Sequence, residues 1–468
     1  MESDLSLATV LHLVIALPLC GHVLLRKDQE PVAVGWIALI LLSPFIGSGL
    51  YWLFGINRVE RRARRLRERP DVPVIAAAPA MPSSGAAADP RYLRLAGSVS
   101  ELPFLPGNTI EPLVNGDEAY PAMLDAIKKA QRSVALSVYI FDDDPTGRKF
   151  VEALAEAVKR GVAVRVLIDD VGLRYSVAAI DAALEKAGVR TARFMPRTFR
   201  FLPFLNLRNH RKIMVVDGEV GFIGGMNIRH GNVVVAGQPE AVQDIHFRVR
   251  GPVVDQMTGL FEEDWHFAAD EEVTLPRTAR PAAAVGAVTA RVVPDGPDHR
   301  VDTLQWLILG MLAMSQKRVR IMTPYFIPNG ILLSALAVAA MRGVEIEVVV
   351  PERTNLPFVG WAMAANFERL LAQGVKIHLN PPPFDHSKLM VVDGQWTLLG
   401  SANWDQRSLR LNFEANLECL DEGLGAILEA YIQSKISLGR EISLAAVRAA
   451  PLWVRLRNNF VRLFGPYL

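Results

Sequence analysis

Two long apolar stretches open the chain: Leu5 to Leu25 and Pro31 to Gly55 contain no Asp, Glu, Lys or Arg, and only Arg26 to Glu30 separates them. A hydrocarbon core about 30 Å thick is crossed by about 20 helical residues, so each stretch is long enough to span and the pair predicts a tight transmembrane hairpin. A cleaved leader would start from a basic flank, whereas this chain starts Met1-Glu-Ser-Asp4. Seven arginines follow between Arg58 and Arg69, with Glu60 and Glu68 among them. They read as a solvated charged helix whose basic side also suits anionic headgroups and keeps this end cytoplasmic. Residues 70–90, rich in Pro, Ala and Ser, read as a flexible linker.

Beyond the linker the period changes. Ser133 to Phe141 alternates, Pro145 to Arg160 repeats at helical spacing, and Val162 to Asp170 is an apolar run, which together predict a β-α-β unit. The same succession returns at Arg318 to Phe326, Gly330 to Arg342 and Val344 to Val350, so the body reads as two α/β halves.

Composition sharpens this picture. The 468 residues are 50% hydrophobic and 21% charged, too apolar for an ordinary water-soluble enzyme and too polar for a bundle of membrane helices alone. Of 51 basic and 49 acidic residues, nine and eight lie before residue 91, leaving a nearly neutral body of 42 against 41. That balance lacks the electrostatic footprint of a nucleic-acid enzyme. Cys20 and Cys419 are the two cysteines, too few for a disulfide framework or a cysteine-based zinc site.

The candidate chemistry lies in a duplicated motif. His210-Arg-Lys212-Ile-Met-Val-Val-Asp217-Gly leads to Gly224-Gly-Met-Asn227, and His386-Ser-Lys388-Leu-Met-Val-Val-Asp393-Gly leads to Gly400-Ser-Ala-Asn403. The spacings agree at each step. On a strand, His and Lys two apart share one face, while Asp has the opposite parity or sits in the turn marked by Gly218 and Gly394. Asp217 and Asp393 therefore read as supporting residues even though they belong to the motif. Two copies in register point to one shared site more strongly than any single His-x-Lys would.

These motifs resemble those of the phospholipase D superfamily, whose HxKxxxxD signature appears twice in its two-domain members, and within it the bacterial cardiolipin synthases. Gly400-Ser-Ala-Asn403-Trp-Asp405-Gln-Arg407-Ser408, Asn412-Phe-Glu414 and Thr323-Pro-Tyr-Phe-Ile-Pro-Asn carry the finer likeness, which covers roughly residues 100–440. One departure is Gly225, where the family often has Ser. The resemblance implies an α/β fold of two tandem phospholipase D-like domains, with mixed sheets flanked by helices and related by a pseudo-twofold axis, behind the hairpin. The expected division is 1–57 hairpin, 58–90 basic segment and linker, 91–275 first domain, 276–450 second domain and 451–468 amphipathic tail.

The resemblance also implies a mechanism. One imidazole attacks phosphorus to form a phosphatidyl-histidine, and the other protonates the leaving alcohol and then deprotonates the incoming one. His210 is the expected nucleophile and His386 the acid and base, with the reverse assignment open. Lys212, Lys388, Asn227 and Asn403 would donate to the non-bridging oxygens, so neither metal nor cofactor is required. A carboxylate should fix each imidazole: Glu414 follows His386 on a predicted strand, and Asp244 occupies the comparable place after His210. The other reading of each is a surface strand charge. His230 and His246 have no counterpart in the other half and stay outside the catalytic set.

The implied substrate is phosphatidylglycerol, exchanged with a second phosphatidylglycerol to give cardiolipin and glycerol at a bacterial inner membrane, with the catalytic domains cytoplasmic and no nucleic-acid partner. Hydrolysis to phosphatidic acid, transfer to phosphatidylethanolamine, a membrane-tethered nuclease and a non-catalytic adaptor are the rivals. Oligomeric state is not readable. Phe199, Phe201, Leu202, Phe204 and Leu205, and Leu356, Pro357, Phe358 and Trp361, read either as interfacial loops or as core. Trp453, Leu456, Phe460, Leu463 and Phe464 fall at helical spacing and read either as an interfacial helix or as a cap on the second domain.

Overall fold

A computed structural model describes residues 7–27, 30–55, 89–172, 180–195, 207–234, 241–277, 285–298 and 302–465. The arginine run at 58–69, the linker up to residue 88 and the apolar loop at 199–205 lie outside the described residues.

The first apolar stretch is one helix, Leu7–Arg26, about 30 Å long at 1.5 Å per residue. The second departs from a single span. It runs as a helix over Glu30–Leu42, breaks at Ser43 to Phe45, and resumes as Ile46–Leu50 followed by a π turn, Tyr51–Gly55. Pro44 has no N–H to continue the ladder, and Phe45 takes a left-handed φ of 62°. The resumed turn folds so close that a Cβ on Gly47 would meet the Leu39 carbonyl oxygen at 2.0 Å. Tyr51 then reaches the first helix, its hydroxyl 2.7 Å from His22 Nδ1.

Both expected β-α-β units are present, as Ser133–Val138, Pro145–Lys159 and Ala163–Asp169, and as Arg318–Met322, Gly330–Met341 and Glu345–Pro351. Local chemistry fixes their helix starts. Asp144 accepts from Thr146 N and Gly147 N ahead of a first-turn proline, and Asn329 accepts from Leu332 N.

The strands join into one 16-stranded sheet whose centre is an antiparallel pair, Leu105–Val114 with Val288–Asp295. Outward from Leu105–Val114 come Ile245–Arg250, Val220–Gly224, Ile213–Val216, Ser133–Val138, Ala163–Asp169 and Arg190–Phe194. Outward from Val288–Asp295 come Asn412–Leu420, Trp396–Gly400, Leu389–Val392, Arg318–Met322, Glu345–Pro351 and Lys376–Asn380. The order is the same on both sides as far as Lys376–Asn380, beyond which the second half adds Arg440–Glu441, and Arg208–Asn209 joins at Asn412–Leu420. An antiparallel pair at the centre of two like halves is what a pseudo-twofold axis through the sheet requires.

Pro90–Val99, at the start of the expected first domain, packs instead on the second-half helix Thr303–Met314. It is tied there by a buried charge cluster. Glu418 accepts from Arg291 Nε at 2.7 Å, from Trp396 Nε1 at 2.8 Å and from the Tyr92 hydroxyl. A buried carboxylate with three donors is tolerated, and loss of any one donor leaves part of its charge unpaired.

Candidate active site

Each motif histidine is laid down by the opposite half. Arg208–Asn209 pairs in parallel with Asn412–Phe413, and His210 N donates to Phe413 O at 2.9 Å. In mirror fashion Phe384–Asp385 pairs in parallel with Val242–Gln243, and His386 N donates to Gln243 O at 2.8 Å. Glu414 follows one exchange within the long strand Asn412–Leu420, and Asp244 follows the other just before the strand Ile245–Arg250.

The carboxylate partners are therefore exchanged relative to the sequence expectation. His210 Nδ1 lies 3.0 Å from both Glu414 oxygens, and His386 Nδ1 lies 2.9 Å from Asp244 Oδ2. Glu414 was expected beside His386 and Asp244 beside His210. The cause is the exchange itself: a histidine held beside a two-residue segment of the partner half meets the carboxylate that directly follows that segment. Neither carboxylate is a surface charge, since both are fully buried while the histidines remain 12% and 13% exposed.

The two lysines keep the expected parity. Lys212 Nζ donates to His210 O at 2.6 Å and Lys388 Nζ to His386 O. Both ammonium groups act on both imidazoles, and the charge of His210 also acts on His386, which brings the two motifs into one electrostatic site. Asp217 and Asp393 stand apart from it. Asp217 accepts from the backbone N–H of Gln131, Arg132 and Ser133 at 2.7–2.9 Å, and Asp393 from those of Gln316, Lys317 and Arg318 at 2.8 Å. Each sits in a left-handed turn at the far end of its strand, φ 55° and 51°, and pins the start of the neighbouring strand. Both carboxylates are engaged by backbone N–H groups rather than by the histidines.

Asn227 turns its Oδ1 toward Ile140 N, 3.1 Å away, and Asn403 Nδ2 lies 3.3 Å from Ser408 Oγ. Both follow the glycine turn of their motif.

The Gly225 departure has a local reason. Ser401, its counterpart, donates its hydroxyl to Glu414 at 2.6 Å. In the first half the partner is Asp244, one methylene shorter, and a Cβ on Gly225 would lie 2.8–2.9 Å from its carboxylate oxygens. Glycine leaves the room that the shorter acid occupies. Glu414 also receives Asn412 Nδ2 at 3.2 Å, whereas Asp244 receives Ile245 N at 2.8 Å.

Sequence reasoning missed the aromatic walls. Tyr139 meets His210 edge-on at 5.1 Å and lies 5.2 Å from Lys212 Nζ; Tyr325 and Phe384 lie 6.4 and 6.1 Å from His386. The signal was an aromatic just beyond a buried strand in each half. Arg407 and Arg229 add positive charge that bears on His210 and His386 respectively. His230 is occupied with Thr146, its Nδ1 3.2 Å from Oγ1. His246 is buried, and desolvation with nearby Lys212 pushes it down to about 3.

Burial sets the protonation balance. It holds both motif histidines well below the usual imidazole range, with the lysine charges adding to the effect. It lowers Lys212 to about 7 and Lys388 to about 8, and raises Glu414 and Asp244 to about 7. A site so starved of solvent favours an anion that will neutralise its cations.

The duplicated sheet and its paired histidine motifs define a two-domain protein of the phospholipase D class. The family model described as cardiolipin synthase, PLD-like domain, matches residues 123–265 and 308–436, and the phospholipase D-nuclease N-terminal model matches 14–55. The chain belongs to the cardiolipin synthase family, and it is a phosphatidyltransferase of phospholipid metabolism. It is 33% identical to a cardiolipin synthase of Geobacillus thermodenitrificans across 95% of this chain and 90% of that one. It is 31% identical to cardiolipin synthase A of Pseudomonas fluorescens across 96% and 95%. A phosphatidylserine synthase structure from Haemophilus influenzae shares the fold, with a TM-score of 0.60 at 17% identity over 81% of this chain and all of that one.

Proposed function

We propose that this synthase joins two phosphatidylglycerol molecules through a covalent enzyme intermediate. His210 Nε2 attacks the phosphorus of the first, the phosphorus–oxygen bond to the headgroup glycerol breaks, and His386, protonated from solvent as the anionic phosphate binds, delivers that proton to the oxygen so that glycerol leaves. His386 then takes the proton from the headgroup hydroxyl of the second phosphatidylglycerol, whose oxygen attacks phosphorus and expels His210. One phosphodiester replaces another, so the cycle needs no nucleotide.

The crossed histidine–carboxylate pairs carry this reading. Glu414 receives the Nδ1–H of His210, which leaves the Nε2 lone pair for attack. Asp244 stands in the same relation to the Nδ1 of His386, which suits that imidazole to carry the proton on Nε2. Lys212, Lys388, Asn227 and Asn403 would donate to the non-bridging oxygens as negative charge grows there. The aromatic walls would limit water, which diverts the intermediate to phosphatidic acid.

The membrane part of the proposal is a hairpin with both catalytic domains on the cytoplasmic face of the inner membrane. The helix Leu7–Arg26, its contact with Tyr51 and the arginine-rich sequence that follows support it. The test is to give the purified full chain phosphatidylglycerol alone and assay cardiolipin and glycerol. Equal amounts of both are expected. Turnover that appears only after a second phospholipid class is added overturns the acceptor assignment.

A further inference from the structure

The helix Leu452–Arg462 docks on Pro357–Leu371 and does so with its mixed face. Val454, Arg457, Asn458 and Val461 are the half-buried positions. At 100° per residue, Leu452, Trp453, Leu456, Phe460, Leu463 and Phe464 fall in an arc of about 120° on another side. All six are exposed, five of them by 62–70%. A helix that only capped the domain would turn that stripe inward.

The stripe is continued by a second element. Leu356, Phe358 and Trp361 are exposed by 36–41%, and Arg457 joins the two, its guanidinium 4.2 Å from the Trp361 ring and 5.3 Å from the Trp453 ring. Arg455 and Arg462 are exposed on the polar flank, and no acidic residue lies between Leu452 and Gly465. Arg455 reaches Glu368 at 3.6 Å. Beyond the stripe the chain turns in, where Gly465 lies beside Ile327 and Gln406, next to Arg407, whose charge bears on His210. The apolar surface thus ends beside Gln406, one residue before a charge felt at His210.

We propose that this surface docks into the headgroup layer of an anionic phospholipid bilayer and holds the two-histidine site against it. The proposal rests on the reading that the substrate is a phospholipid. Large apolar side chains with flanking arginines match that layer in both polarity and charge.

The N-terminal helix anchors the chain whatever this surface does, so the readout must be local. Full-length protein is reconstituted in phosphatidylcholine–phosphatidylglycerol vesicles whose acyl chains are brominated near the headgroup. The expected result is quenching of the fluorescence component that Trp453→Phe removes. The double variant Leu456→Glu with Phe460→Glu is expected to lose that quenching and to turn over vesicle-borne phosphatidylglycerol about tenfold more slowly. It should keep its melting temperature and its rate on short-chain phosphatidylglycerol in detergent. Unquenched Trp453, or disulfide cross-linking of Phe460→Cys between copies without quenching, overturns the proposal. Quenching without cardiolipin formation supports the docking while refuting the proposed chemistry.

Discussion

His210 and Glu414 stand 204 positions apart in the chain, yet His210 Nδ1 lies 3.0 Å from both carboxylate oxygens of Glu414. His386 and Asp244 repeat the relationship in the opposite direction at 2.9 Å. Each half of the molecule therefore supplies the acid that orients the other half's imidazole. Neither half is complete alone.

Replacing Glu414 by Gln, or Asp244 by Asn, removes the anion while keeping the shape. The imidazole loses its fixed tautomer and the partner for its charged form. A drop in kcat of about 10²- to 10⁴-fold is expected, with KM changed much less. Steady-state kinetics on phosphatidylglycerol check this. A variant that retained most of its kcat would mean the crossed pairs are scaffolding.

Gly225→Ser tests why the two halves differ. Its Cβ would sit 2.8–2.9 Å from the Asp244 carboxylate and displace it from His386. A fall in kcat of about 10- to 100-fold is expected from misplacement alone. Pairing Gly225→Ser with Asp244→Glu rebuilds the arrangement of Ser401 and Glu414, and should recover part of that loss.

Asp217 and Asp393 belong to the motif and yet face away from the chemistry. Each satisfies three backbone N–H groups at the start of a central strand. Asp217→Ala or Asp393→Ala should cost about 2–4 kcal/mol of stability. The remaining folded enzyme should keep its KM and kcat. Thermal melts beside activity per folded molecule separate the two effects.

Much of this was legible in the sequence. The β-α-β units show as changes of period, and the chemistry shows because His, Lys, Asp and Asn recur at equal spacing. The exchange of carboxylates does not show, because Arg208–Asn209 and Phe384–Asp385 are two-residue strands, too short to leave any period. The second apolar stretch misleads for a different reason. Hydrophobicity counts side chains, whereas the break at Ser43 to Phe45 comes from the backbone, through a missing N–H at Pro44 and a left-handed Phe45. Tyr139 does not stand out in the sequence, because an aromatic after a buried strand resembles ordinary core until the fold sets it against His210.

The lowered lysines predict a pH dependence of a definite sign. Lys212, brought down to about 7 chiefly by burial, loses its charge in the free enzyme as pH rises through 7, and Lys388 follows near 8. Affinity for glycerophosphoglycerol, a phosphodiester with one fixed negative charge, should fall between pH 6 and 8.5, and binding should take up protons. Lys212→Arg stays charged throughout that range and should flatten the lower part of the fall. Calorimetry in buffers of different ionisation heat measures both quantities. A pH-independent affinity would mean that neither lysine discharges.

The covalent intermediate offers the sharpest check. The His386→Ala variant, with its proton carrier gone, is incubated with a phosphate-labelled phosphatidyl-p-nitrophenol, whose leaving group departs without a proton, and the histidine-containing peptides are read by mass spectrometry at alkaline pH. The phosphatidyl group is predicted on His210, and His210→Ala is predicted to carry none. A label on His386 in the His210→Ala variant would reverse the two roles. Cardiolipin formed by the wild-type enzyme with no labelled histidine in any sample would contradict transfer through an imidazole.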